Sequence, residues 1–229
     1  MGISDNTVNP DRQVYDCFVE TYMRGGSVNV LFIGNSITRH LPKPEIGWHR
    51  DCGMAASSPE SDYLHIVLRG LEKQLGRVNY CVAQLGRWEK QYWDDGILLS
   101  YVKAREFAAD IIICRLGENI WGSRDMLEEQ PLYPKFDGML KYFNAKPASK
   151  VAVTDLFWAW DDIDKPIRKV VSDNGYTQVY IGDLGARSDC KALDEYEHHG
   201  VSIHPNDLGM QNIAGRILRA LGAEAEKYA

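Results

Sequence analysis

Two periodicities alternate along this chain, and that alternation limits its possible folds more than any other feature. Short β-branched runs recur at Val28–Ile33, Val78–Ala83, Asp110–Leu116, Lys150–Leu156 and Thr177–Ile181. Between them, apolar residues return every three or four positions. Ser61–Leu75 is the clearest such stretch: Leu64, Val67, Leu68, Leu71 and Leu75 share one helical face, and Gly76 follows as a stop. Asp11–Arg24, Ile97–Phe107, Lys135–Asn144 and Asp164–Asn174 read as further helices. A last helix is expected from about Asp207 to Leu221, with Met210, Ile213, Ala214, Ile217 and Leu218 facing inward. Asn206 or Asp207 can cap its first turn. Strands that alternate with helices imply an α/β three-layer sandwich, with a mostly parallel sheet of roughly five strands covered on both faces. No repeat, low-complexity tract or linker breaks the pattern, so the 229 residues are expected to form one domain, with 1–10 as a poorly ordered arm.

Composition narrows the function classes. A formal net charge of −6 argues against a nucleic-acid phosphate footprint. No apolar run approaches the ~20 residues needed to span a bilayer, so no membrane partner is expected. Met1–Pro10 lacks the basic-then-apolar pattern of a signal peptide. The expected location is therefore cytoplasmic, or secreted or periplasmic if a leader has been removed. The five cysteines have no framework spacing and include no CxxC pair, and Cys81 and Cys114 read as buried thiols. His40, His49, His65, His198 and His199 show no metal-ligand spacing. No metal or organic cofactor is expected.

In open parallel sheets, ligands bind beyond the carboxyl ends of the strands. The first apolar run ends abruptly in Gly34-Asn35-Ser36. The second is followed by Gly86-Arg87-Trp88-Glu89, the third by Gly117-Glu118-Asn119-Ile120-Trp121, and the fourth by Trp158 and Trp160. Just before the last helix the chain reads His204-Pro205-Asn206-Asp207-Leu208-Gly209-Met210. A serine hydroxyl needs a base to take its proton as it attacks, and a histidine can supply that base. The plainer alternatives are a helix cap for Ser36 and a turn or cap for Asn119. All six tryptophans, Trp93 included, follow strands; each can stack on a sugar face or simply wedge a loop onto the domain.

Taken in order, Gly34-Asn35-Ser36, Gly117-Glu118-Asn119 and His204 through Met210 resemble the blocks of the SGNH, or GDSL-like, hydrolase superfamily, and the resemblance runs from Val28 to Leu221. It implies a flavodoxin-like fold and ester hydrolysis through an acyl-serine intermediate, without a cofactor. It also implies roles: Ser36 as nucleophile, His204 as base, and an oxyanion site formed by the Ser36 N–H, the Gly86 N–H and the Asn119 side-chain amide. The GxSxG elbow of ordinary α/β-hydrolases is absent.

One position departs from the family pattern. An aspartate usually lies three residues before the histidine, and here that residue is Val201. Asp194, Glu195 and Glu197 read as a solvated loop. Some carbohydrate acetylesterases of the superfamily carry a Gly-Glu pair in the third block, which makes Glu118 the first candidate for the acid. The alternatives are a serine–histidine dyad oriented by a backbone carbonyl near Val201, or Glu118 as an element of the fold. The expected activity is hydrolysis of O-acyl, foremost O-acetyl, esters on a small molecule or oligosaccharide, with Trp48, Trp88, Trp121 and Trp158 bordering the substrate. The rivals are a saccharide-binding protein that has lost catalysis and a lipase or thioesterase type. A phosphate-binding flavodoxin-like module is a poorer fit, because the first loop has too few glycines.

Overall fold

The computed structural model describes residues 16–148 and 150–223. Its sheet has six strands: β1 (Phe18–Tyr22), β2 (Val28–Gly34), β3 (Val78–Gln84), β4 (Ile111–Arg115), β5 (Lys150–Thr154) and β6 (Thr177–Val179). Their spatial order is β1-β3-β2-β4-β5-β6. The last five pair in parallel, as expected from the sequence. β1 runs antiparallel along β3, with Phe18 opposite Gln84 and Tyr22 opposite Tyr80.

β1 corrects the helix expected over Asp11–Arg24. Residues 11–15 of that span, and the arm at 1–10, lie outside the described residues. In the remainder, cross-strand packing outweighs the helical spacing: Tyr22 stacks on Tyr80 with ring centroids 4.4 Å apart.

The helices are α1 (Tyr63–Leu75), α2 (Gly86–Lys90), α3 (Val102–Glu106), α4 (Leu132–Phe143), α5 (Asp161–Asp173), α6 (His199–Ser202) and α7 (Asp207–Leu221). The helix expected over Ile97–Phe107 is split into a 3-10 stretch, Asp95–Tyr101, followed by α3. Strand alternation sorts the core into two layers. Val30 and Phe32 of β2 and Ile111 and Ile113 of β4 face α1 and α7. Leu31, Ile33, Ile112 and Cys114 face the layer that holds Tyr101, Phe136, Met139 and Ile167. The α1–α7 contact is close because residue 70 is glycine: a Cβ there would lie 2.6 Å from the Leu218 methyls.

Caps fix the helix starts on either side of the site. The Asp62 carboxylate accepts from the His65 N–H at 2.8 Å, and the Asn206 side chain accepts from the Gly209 N–H at 3.0 Å. Each such cap contributes about 1 kcal/mol. The Asn206 cap also sets where α7 begins, three residues after His204.

Candidate active site

β2 ends at Gly34, where a Cβ would overlap the Thr38 hydroxyl, so a side chain there would block the turn. The chain then folds back, with the Thr38 and Arg39 N–H groups donating to the Asn35 carbonyl at 2.9 and 3.0 Å. Ser36 sits in this turn, and the Met54 N–H holds its carbonyl at 2.9 Å. His204 sits in the short connection between α6 and α7. Its N–H donates to the Val201 carbonyl at 2.9 Å, and its own carbonyl accepts from Ala192 at 3.1 Å. These two anchors bring the Ser36 Oγ to 2.9 Å from the His204 Nε2. The ring lies edge-on to Trp158, with centroids 5.2 Å apart.

Burial pushes the His204 ring down to about 3, against the opposing effect of the Gly200 carbonyl and with help from the Arg115 charge. The imidazole is therefore neutral at pH 7, the form that accepts a proton. To accept from Ser36 at Nε2, it must carry its own hydrogen on Nδ1. That Nδ1 is buried and makes no hydrogen bond of ordinary geometry among the described residues.

Glu118 makes no direct hydrogen bond to His204. Its carboxylate receives the Arg115 guanidinium at 2.6 and 2.9 Å, the Asn35 amide at 2.7 Å and the Phe157 N–H at 3.1 Å. Arg115 lies three residues earlier, at the end of β4, and is wholly buried, so its charge claims the nearest carboxylate. Burial alone would raise the Glu118 pKa, but the adjacent guanidinium outweighs burial and holds it below the ordinary carboxylate value.

A second carboxylate completes this polar cluster. Glu89, on α2, is fully buried and accepts from the Gly117 N–H at 2.7 Å, the Asn119 N–H at 3.2 Å, the Asn119 side-chain amide at 2.5 Å and the Asn35 amide at 3.0 Å. Burial, and then the nearby Glu118 charge, push it up to about 7. Asn35 links the two carboxylates, and its side-chain oxygen accepts from the Arg115 guanidinium. Asn35, Glu89 and Arg115 carry no role in the sequence reading. The one local signal is a cation closing the apolar run Ile111–Arg115.

The three expected oxyanion donors fare differently. The Gly86 N–H donates to the Gln84 side chain at 2.7 Å, which takes it away from Ser36. One hydrogen of the Asn119 amide goes to Glu89, and the other has no partner among the described residues. The Ser36 N–H is also without an acceptor among the described residues.

The expected tryptophan contacts also divide. Trp48 is fully buried and donates to the His40 carbonyl at 3.1 Å. Trp88 is fully buried edge-on against Tyr92 and Phe136. Both wedge their loops onto the core and are not substrate contacts. Trp158 borders His204. Trp121 is 54% exposed and meets Trp160 edge-on at 4.5 Å, with the Arg124 guanidinium over its ring at 4.4 Å. Next to this pair lies an open cleft of about 720 Å³ lined by Arg124, Trp160, Asp161 and Lys165 among others. Ser36 and His204 do not line it.

No protein-family model matches the chain, and no curated protein does. Solved structures do. A candidate GDSL-like lipase from Parabacteroides merdae superposes with a TM-score of 0.55 at 17% identity, over 86% of this chain and 96% of its own. A lipase from a goat rumen metagenome gives 0.51 at 18% identity, over 86% and 99%. A candidate GDSL-like lipase from Bacteroides ovatus gives 0.52 at 13% identity, over 86% and 99%. The chain therefore has the mostly parallel, helix-flanked α/β fold on which these GDSL-like lipases are built.

Proposed function

We propose that this protein is a serine ester hydrolase of the SGNH superfamily that removes O-acyl, foremost O-acetyl, groups from a saccharide. The observation that carries the reading is the Ser36 Oγ at 2.9 Å from the Nε2 of a neutral, buried His204. As Ser36 attacks the ester carbonyl, its proton passes to Nε2. The tetrahedral oxyanion meets the Ser36 N–H and the free hydrogen of the Asn119 amide, and one such donor is worth about 3 kcal/mol in the transition state. His204 then returns the proton to the leaving alcohol, leaving an acyl-serine. Water, activated by the same imidazole, attacks the acyl-serine and restores the enzyme. With Glu118 committed to Arg115, the imidazolium that forms has the Gly200 carbonyl in place of a carboxylate partner.

The saccharide part rests on Trp158 beside the histidine and on the Trp121–Trp160 pair, since indole faces stack on sugar rings. The structural relatives whose names say lipase make a longer acyl chain the natural competitor. A second reading has its own support: no carboxylate reaches the Nδ1 of His204, which favours a saccharide-binding protein without turnover.

A fluorophosphonate probe and p-nitrophenyl esters separate these readings. The esterase should be labelled at Ser36, release a burst of p-nitrophenol from the acetate, and lose both properties in Ser36→Ala. Faster turnover of the octanoate than of the acetate would favour the lipase. A folded wild-type protein with neither labelling nor release would leave the binding protein.

A further inference from the structure

We propose that Glu89 is a positioning residue for the oxyanion site, acting through Asn119; this rests on the esterase reading above. Glu89 forms no ion pair with a cation among the described residues, because Glu118 engages the Arg115 guanidinium. What surrounds its carboxylate is four N–H groups from two elements that shape the site. Two are backbone groups, at Gly117 and Asn119, in the loop after β4. The third is the Asn35 amide, next to the nucleophile, and the fourth is the Asn119 amide itself.

A wholly buried carboxylate is a costly way to fill space. Its neighbour Trp88, on the same short helix, fills space with a largely apolar ring that carries no charge. What the carboxylate adds is direction. An asparagine amide has two N–H groups. By taking one at 2.5 Å, Glu89 fixes the plane of the amide and so fixes where the other points. The bond to the Gly117 N–H anchors the loop at its start, where Gly117 has φ +140, a conformation strained for other residues. The bond to Asn35 ties that loop to the turn that carries Ser36. One side chain thus joins the nucleophile's neighbour to the oxyanion donor. A preorganised donor stabilises an oxyanion because it need not turn during the reaction.

The charges around Glu89 are Glu118 and Arg115 from β4 and the loop after it, with the Cys114 thiol on β4 pushed up by its own burial. Since Glu89 ionises near 7, its hold on the N–H groups strengthens as pH rises through neutrality. His204 is held far lower and Cys114 far higher, so neither titrates in that window.

The test is the steady-state kinetics of p-nitrophenyl acetate hydrolysis by wild type, Glu89→Gln, Asn119→Ala and the double variant. Glu89→Gln replaces one accepting oxygen by a donor. It should lower kcat about 10- to 100-fold, within the loss expected for a donor that is no longer preorganised, while KM moves less than about threefold. The double variant should lose no more than Asn119→Ala alone, because Glu89 acts through that residue. Wild-type kcat should rise through about pH 7, and the rise should be absent from Asn119→Ala. Additive losses overturn the proposal, as does a full-rate Glu89→Gln enzyme. If Glu89→Gln does not fold, the pH profiles decide: a rise missing from wild type, or one that persists in Asn119→Ala, overturns it. A wild-type protein with no turnover and no Ser36 labelling defeats the esterase reading and this proposal together. A reactive wild type with an unimpaired Glu89→Gln defeats only the second.

Discussion

The proposed nucleophile and the proposed base are held in opposite ways. Ser36 sits against a dense polar framework in which Asn35, Glu89, Arg115, Glu118 and Asn119 are linked by hydrogen bonds near the ends of β2 and β4. His204 is held by backbone bonds on a short connection and by an aromatic edge, and its Nδ1 makes no hydrogen bond of ordinary geometry among the described residues. The difference shows that a carboxylate near an active site is not thereby part of a triad. Arg115 is buried more deeply than His204 and carries a permanent charge, so it has the stronger claim on Glu118. The position where a family acid is expected holds Val201, which is fully buried in the apolar layer.

The sharpest way to break this contrast is at the reacting pair. His204→Ala should lower turnover of p-nitrophenyl acetate by about three orders of magnitude or more, as removal of one member of an acting unit does. A mild loss would mean that another group serves as the base. Next comes the acid side. Glu118→Gln leaves the Arg115 charge buried without its counter-charge, so it should destabilise the protein by about 3–5 kcal/mol in urea unfolding. If Glu118→Gln instead unfolds normally and loses activity alone, Glu118 belongs to the catalytic unit after all.

The sequence displayed the proposed reacting pair but not its support. Ser36 and His204 were legible because each sits at a structural boundary with a local signature: an apolar strand ending in Gly34, and an Asn-capped helix starting just beyond the histidine. The five parallel strands were legible for a similar reason, as β-branched runs of strand length. Support by Glu89 was not, because its partners at Gly117 and Asn119 lie 28 and 30 residues away and no local spacing encodes such a pairing. The pairing of Glu118 with Arg115, three residues before it, was not legible either, since sequence gives neighbours but not the direction of a side chain. The tryptophans show the same limit. Trp48 and Trp158 both follow strands, yet one is sealed in the core and the other borders the imidazole.

A smaller effect sharpens the electrostatic side of the contrast. The folded-state value of His204 is depressed to about 3 from an ordinary 6.5. Between those values the unfolded chain binds a proton that the folded protein does not. The stability associated with this ring is therefore complete above about 6.5 and is lost as pH falls toward 3. Thermal melts from pH 7 to 4 should show a smaller decline in His204→Ala than in wild type; equal declines would mean that the ring is not protected from protonation. The smallest effect is expected at the rim. Trp158→Ala should raise KM for an acetylated oligosaccharide a few-fold more than for p-nitrophenyl acetate, as loss of one stacking contact does. Equal changes on the two substrates would count against sugar stacking.

The antiparallel edge strand bears on how the chain assembles. β1 is the first of the six strands to leave the ribosome, yet its partner β3 follows about 60 residues later, as the Thr21–Cys81 contact measures. Until then its backbone has no ladder to join, and an unpaired strand is a template for wrong pairings. When β1 does dock, it brings Asp16 against α2: the Asp16 carbonyl accepts from the Arg87 N–H at 2.7 Å, and its carboxylate meets Lys90 at 2.6 Å. The helix that carries Glu89 is thereby tied to the start of the described chain. The leading strand thus sets both a late step in assembly and the seating of the segment behind the oxyanion loop.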